Sequence, residues 1–206
     1  MEKLKSLVIE GNVKGSAARV QELLAQGVSA EDIMRVALVP AMDEVGVLFQ
    51  NGEYYLPEML VASKAMQEGL KLLKPLLAKG GSAYLGKAVI GTVKGDLHDI
   101  GKNMVGMALE GAGFEVIDLG ADVPVEAFVN AIRENKPAVV GMSALLTTTM
   151  PVMREIVDAI QSAGLRAGVK IMIGGAPITQ KYATEIGADF YGPDSTSAKD
   201  YARSVL

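Results

Sequence analysis

The chain has 206 residues, half of them apolar and 21% charged, with a net charge of -4. That length and composition suit one large domain or two small ones with a sizeable core, and the acidic balance carries no footprint for nucleic acid or an anionic membrane. The absence of cysteine removes disulfides, thiolate zinc sites and thiol nucleophiles.

Residues 1 to about 80 repeat apolar positions at helical spacing. The Met-Glu-Lys-Leu-Lys start shows no apolar secretory core, and no apolar run approaches the roughly 20 residues that span a bilayer. The expectation is a soluble cytoplasmic protein. Leu4, Leu7 and Val8 open a short helix, and Ala17, Val20, Leu23 and Leu24 fit a second, stopped by Gly27. Ser29 with Glu31 and Asp32 reads as a cap and an acidic first turn. The third helix then carries Ile33, Val36, Ala37 and Val39 up to Pro40, and Ala41 to Phe49 continues the pattern. Asn51-Gly52 is a turn signal. Pro57 suits the first turn of a long last helix whose face is Leu60, Ala62, Met66, Leu70, Leu73 and Leu77. A small bundle of about four or five helices follows. Gly80-Gly81-Ser82 reads as a linker, dividing a helical domain at 1–82 from a second domain at 86–206.

From Lys87 the period changes. Short apolar runs at 88–93, 114–119, 138–143 and 169–174, with a shorter one at 188–192, alternate with helical patterns near 100–112, 125–134, 150–163, 179–186 and 195–205. Continuous apolar strands alternating with helices mark a parallel sheet covered on both faces. The predicted fold class is therefore α/β: an N-terminal helical bundle followed by a flavodoxin-like, five-stranded parallel domain.

In such a sheet, ligands bind beyond the carboxyl ends of the strands, at the switch point. After the first run comes Lys94-Gly95-Asp96-Leu97-His98-Asp99-Ile100-Gly101, and after the third Ser143-Ala144-Leu145-Leu146-Thr147-Thr148-Thr149. The fourth and fifth lead into Gly174-Gly175-Ala176-Pro177 and Gly192-Pro193-Asp194. Neither a dinucleotide fingerprint nor a P-loop is present. His98 is the only histidine, with an unperturbed pKa of about 6.5 and the commonest metal-binding side chain. If the first and third strands are neighbours, a hydrogen-bond chain from His98 to Asp96 to Ser143 becomes possible. A carboxylate on one ring nitrogen fixes the tautomer and raises the basicity of the other. One protein ligand is too few for a free zinc ion but enough for a metal already held by a macrocycle.

These residues resemble the motifs of cobalamin-binding domains. Asp96 to Gly101 resembles D-x-H-x-x-G, Ser143-Ala144-Leu145 resembles S-x-L, and Gly174-Gly175 resembles the double glycine, in that order. Tyr55-Leu56-Pro57-Glu58 resembles the helical cap signature of methionine synthase. The layout is similar to the corrinoid proteins of methyltransferase systems that use methanol, methylamines, betaines or methoxylated aromatics.

The resemblance implies His98 as lower axial ligand of cobalt, oriented by Asp96 with Ser143 behind. Gly95, Leu97, Asp99, Ile100 and Gly101 would shape the loop beneath the corrin. Ser143, Leu145, Thr147, Gly174 and Gly175 would line the channel for the displaced nucleotide tail, with Gly192 and Asp194 at its far end. Tyr55, and secondarily Met59, would cover the upper, methyl-bearing face. The implied function is a methyl carrier, not catalytic alone, that accepts a methyl group on cobalt(I) from a substrate-specific methyltransferase. It would deliver that group from methylcobalt(III) to an acceptor methyltransferase, with a reductive activator as a third partner. Proton uptake by the Asp96–His98 pair would accompany release of the ligand, and Gly80-Gly81-Ser82 would be the hinge. Alternatives are an adenosylcobalamin mutase small subunit or a cobalamin-sensing regulator.

Plainer readings stand beside these. Asp96 could cap the helix near Ile100. Gly174-Gly175 could be an ordinary turn, Thr147-Thr148-Thr149 could hold only a helix cap, and Tyr55 and Met59 could be bundle core. Lys94 and Lys102 read as solvated, though Lys94 could meet a corrin side chain.

Overall fold

Helical periodicity in the first third of the chain and apolar runs in the rest produce two separate kinds of packing. The computed structural model describes residues 1–77 and 84–206. It divides into Met1–Tyr84 with Gly111–Gly113, and Leu85–Glu110 with Phe114–Leu206. The Gly80-Gly81-Ser82 linker lies outside the described residues.

The helical unit contains α1 (Glu2–Ile9), α2 (Val13–Ala25), α3 (Ala30–Ile33), α4 (Val39–Gln50) and α5 (Leu56–Leu77). Asn12 starts α2 by accepting the Gly15 N–H at 2.9 Å, and Ser29 starts α3 by accepting the Asp32 N–H at 3.0 Å. Both satisfy helix donors that have no partner within the helix. Leu4, Val8, Val20, Leu23, Ile33, Leu38, Met66, Leu70 and Leu73 form the core. The Ser16 hydroxyl, buried among them, donates to the Ala65 carbonyl at 3.0 Å and ties α2 to α5.

Two expectations fail here. Pro40 does not end the third helix: Met34–Leu38 form a π-helical turn between α3 and α4, with the Val39 N–H donating to the Met34 carbonyl. A proline lacks the N–H for the carbonyl four residues back, and a turn one residue wider carries the helix past it. Leu60, placed on the buried face of the last helix, is 45% exposed, while Ala62, Met66, Leu70, Leu73 and Leu77 are buried.

The second unit runs β1 (Lys87–Thr92), α6 (Ile100–Gly111), β2 (Glu115–Asp118), α7 (Val125–Asn135), β3 (Val139–Ser143), α8 (Met150–Ser162), β4 (Lys170–Gly174), α9 (Gln180–Ile186), β5 (Phe190–Tyr191) and α10 (Ser195–Ser204). The strands form one parallel sheet in the order β2-β1-β3-β4-β5. Val89, Val140 and Ile171 pack with Phe128, Ile156 and Ile160. Each such burial contributes about 1.5–3 kcal/mol. The order reverses at β1: the next strand in sequence lies on one side of it and the remaining three on the other. The crevice opens beyond the ends of β1 and β3.

Candidate cofactor site at the carboxyl end of the sheet

Register brings the strand ends level, because Thr92 pairs with Ser143 and Ser143 with Gly174. Beyond β1 the chain makes one more sheet bond, Val93 N–H to the Ser143 carbonyl at 3.0 Å. It then turns at Gly95, whose φ of +83° suits a residue without a side chain. The turn drops Asp96 inward, and Asp96 is fully buried.

Asp96 is the hub of the site. Its Oδ1 accepts the His98 N–H at 3.0 Å and the His98 ring Nδ1–H at 2.8 Å. Its Oδ2 accepts the Leu145 N–H at 2.8 Å, the Leu146 N–H at 3.2 Å and the Thr149 hydroxyl at 2.8 Å. Burial alone would raise the carboxyl pKa. The donors outweigh it, chiefly the His98 and Leu145 N–H groups, then the His98 ring and the Thr149 hydroxyl, and hold Asp96 well below the usual carboxylate range. An ionised acceptor on Nδ1 keeps the proton there and leaves the lone pair on Nε2. The imidazole side chain is 53% exposed.

The loops that carry His98 and its anchors expose large apolar side chains. Leu97 is 75% and Ile100 68% exposed, and Leu145 and Leu146 are exposed as well. Large apolar side chains gathered in the open mark a binding surface rather than a solvated loop. A Cβ added at Gly101 meets nothing within 4 Å, so the start of α6 leaves room beside them. Among the described residues no group of three or more His, Cys, Asp or Glu could hold a bare metal ion.

The expected link from Asp96 to Ser143 is not formed. The Ser143 hydroxyl lies 2.8 Å from the Thr92 hydroxyl, and Thr92 donates to the His98 carbonyl at 3.2 Å. Thr92 has one proton and gives it to that carbonyl, so Ser143 is the donor of the pair. Ser143 therefore supports the His98 backbone, and Thr149 supports the Asp96 carboxylate. The physical reason is register: Ser143 ends its strand opposite Thr92, whereas Asp96 lies four residues farther along and reaches the next turn.

The double glycine is a steric requirement. Gly175 has φ +132°, and a Cβ there would sit 1.9 Å from the Ala144 carbonyl oxygen. A Cβ at Gly174 would lie 3.1 Å from the Gly192 carbonyl oxygen. The turns after β3, β4 and β5 thus approach backbone to backbone. Thr147 is exposed. The Asp194 carboxylate is engaged as the cap of α10, accepting the Ser197 N–H at 2.7 Å. Asp99 precedes α6, and its carbonyl accepts the Asn103 N–H at 2.8 Å.

Two other side chains, Lys102 and Met59, depart from expectation. Lys102 is 5% exposed, not solvated, and its ammonium donates to Asp118 and to Asn103. Lys94 is exposed, as expected, and is paired with Asp122 at 2.9 Å. Met59 is buried in the helical core, whereas Tyr55 is 67% exposed, with its N–H donating to Glu58 at 3.0 Å. Sequence reasoning missed Thr149, Thr92 and Asp122. Thr149 carried a signal, as the last hydroxyl before the Met150-Pro151 helix start. Thr92 was hidden as an ordinary strand residue.

Residues 86–199 match the B12 binding domain family, and residues 1–74 match a second family of the same description. The trimethylamine corrinoid protein 1 of Methanosarcina acetivorans is 41% identical over 206 residues, 99% of this chain and 95% of that protein. The dimethylamine corrinoid protein 1 of the same organism is 45% identical over 176 residues, 85% of this chain and 83% of that protein. The crystal structure of the methanol:cobalamin methyltransferase complex of Methanosarcina barkeri contains a chain of the same fold. Its TM-score is 0.90 at 28% identity, covering 98% of this chain and 78% of that one. With a buried Asp96 presenting His98 at the sheet's switch point, and matches over nearly its whole length, this chain belongs to the B12-binding corrinoid proteins.

Proposed function

We propose that this protein is the methyl-carrying corrinoid subunit of a methyltransferase system, receiving a methyl group through one methyltransferase and yielding it to another. The single observation that carries the reading is the Asp96–His98 pair: Nδ1 is bonded to a buried carboxylate, and the imidazole is about half exposed in a loop that also exposes Leu97 and Ile100. Those residues would fit a corrinoid, whose macrocycle already holds its metal, so that the one imidazole of His98 would suffice as the protein's donor. When bound, the corrinoid supplies a cobalt centre that takes up and releases the methyl group.

The chain's own residues do the rest. Asp96 holds the Nδ1 proton and keeps the ring oriented. Leu145, Leu146 and Thr149 hold Asp96 in turn, and Ser143 with Thr92 holds the His98 backbone. Leu97, Ile100 and Leu145, with Gly95, Asp99 and Gly101 in the same loops, are assigned to the underside of the ring. Gly174, Gly175 and Gly192 are assigned to the slot for its nucleotide tail, with Thr147 and Asp194 at the margin. Exposed Tyr55 of the helical domain, assigned to residues 1–82, is the side chain proposed for the upper face. The reading includes a cytoplasmic location and a reductive activator as third partner. No helix among the described residues is long and apolar enough to cross a membrane.

The test is to load the full chain with cobalamin and supply a donor methyltransferase for trimethylamine, dimethylamine or methanol with labelled substrate. Label retained on the corrinoid and then passed to an acceptor methyltransferase is the expected result. A chain that binds cobalamin but takes no label from any donor, or that holds only an adenosyl form, overturns the methyl-carrier reading.

A further inference from the structure

Asp122 lies in the turn after β2, on a different segment from His98, yet it makes most of its bonds to the stretch that delivers His98. Its Oδ1 accepts the Gly95 N–H at 2.8 Å and its Oδ2 accepts the Lys94 ammonium at 2.9 Å. Its own N–H donates to the Asp96 carbonyl at 3.0 Å. Three consecutive residues, Lys94, Gly95 and Asp96, are thus gripped by one aspartate. Its φ of +57° is left-handed, a conformation that disfavours most side chains. Strain of this kind persists where the surroundings over-determine it. The surroundings here are specific: Val93 bridges to Val123 in parallel, and the Val123 N–H donates to the Thr92 carbonyl at 3.0 Å, so the two turns run side by side.

The geometry points to Asp122 as a positioning residue for His98. We propose that its clamp fixes the height of the 94–98 turn, and so sets how readily the imidazole is offered as the lower ligand of the corrinoid. This rests on the reading of His98 as that ligand. These bonds of Asp122 go to Lys94, Gly95 and Asp96, not to the imidazole. Asp122 acts through the backbone on either side of the Gly95 turn, where Asp96 has its own anchors in Leu145, Leu146 and Thr149 of the turn after β3. One set holds the Asp96 backbone and the other its carboxylate.

The test compares Asp122→Gly and Asp122→Asn with the unaltered protein. Glycine adopts the left-handed backbone without strain, so it removes the carboxylate alone. Asparagine also tolerates that backbone and keeps a side-chain oxygen for the Gly95 N–H. All are loaded with cobalamin as the full chain, and the cobalt(II) form is read by electron paramagnetic resonance. With Asp122→Gly, cobalamin stays bound and the ratio of nitrogen-ligated to unligated cobalt falls about tenfold, the loss expected for one charge-assisted hydrogen bond. Asp122→Asn recovers most of the ratio. In the cofactor-free protein, the Gly95 amide resonance shifts upfield in Asp122→Gly and not in Asp122→Asn. An unchanged ratio in Asp122→Gly overturns the proposal. His98→Ala separates the two claims: if it leaves the spectrum of the unaltered protein unchanged, His98 is not the ligand, and the reading beneath the proposal fails instead.

Discussion

At the scale of single residues, the site turns on how many donors one carboxylate satisfies. Asp96 accepts from His98 twice, from Leu145 and Leu146, and from Thr149, while fully buried. In Asp96→Asn one oxygen becomes an amide nitrogen that meets N–H or O–H donors. The predicted loss is about 3 kcal/mol of stability, since buried donors are left unpaired. Thr149→Val removes one donor and is predicted to lose about 1 kcal/mol. Denaturant unfolding of the cofactor-free protein measures both, and a loss in Asp96→Asn no larger than in Thr149→Val contradicts the hub. The pairing of Asp96 with His98 was legible because two residues apart on one turn is within reach. Its other partners were not, because they depend on which turn of the next strand passes over it. Asp122 gives a pH prediction of definite sign. The Gly95 N–H, then Lys94, holds its carboxyl below the ordinary value of about 3.9. A depressed carboxyl stabilises the turn fully above the ordinary value and loses that effect as pH falls through the lower folded value. The Gly95 amide resonance is therefore predicted to stay constant from neutrality to about pH 4 and to move below it. A midpoint at or above the ordinary aspartate value contradicts the clamp.

At the scale of elements, strand ends are where sequence and structure agreed most closely and where the exceptions are informative. Helices expected at 100–112, 125–134, 150–163 and 179–186 form as Ile100–Gly111, Val125–Asn135, Met150–Ser162 and Gln180–Ile186. Local pattern suffices there, because apolar runs between glycines and capped helices leave few alternatives. The fifth strand, expected over 188–192, shrinks to Phe190–Tyr191 at the sheet edge, where only one neighbour rewards extension. Pro40 misled for a different reason: a π-helical turn absorbs a missing donor, and no local pattern announces one. The double glycine reads in sequence as a turn, but its reason is long-range, the Ala144 carbonyl from the neighbouring strand's exit. Gly175→Ala is predicted to destabilise by about 3 kcal/mol or more, combining backbone strain at φ +132° with a contact no Cβ can make. Thermal unfolding measures it, and a change below about 1 kcal/mol means that the two turns part freely.

At the scale of the whole molecule, the question is how much of cofactor affinity rests on one imidazole. The surface proposed for a corrinoid is broad: Leu97, Ile100, Leu145 and Leu146 are all exposed, and the turns beyond β3, β4 and β5 lie close together. Apolar area removed from water contributes in proportion to its extent, independent of the axial bond. His98→Ala is therefore predicted to retain cobalamin with reduced affinity. Binding to the folded state alone raises stability by about 2.7 kcal/mol when ligand stands at a hundredfold its dissociation constant. For a chain of this length that shifts Tm by roughly 5–10 °C. At one fixed cobalamin concentration, the unaltered protein should show a shift of that order and His98→Ala a smaller one that still exceeds zero. Asp96→Asn should fall between them once its lower starting Tm is subtracted, because it leaves an imidazole in place but releases its tautomer and orientation. An abolished shift in His98→Ala would place the affinity in the axial bond, and the exposed apolar side chains would then need another occupant.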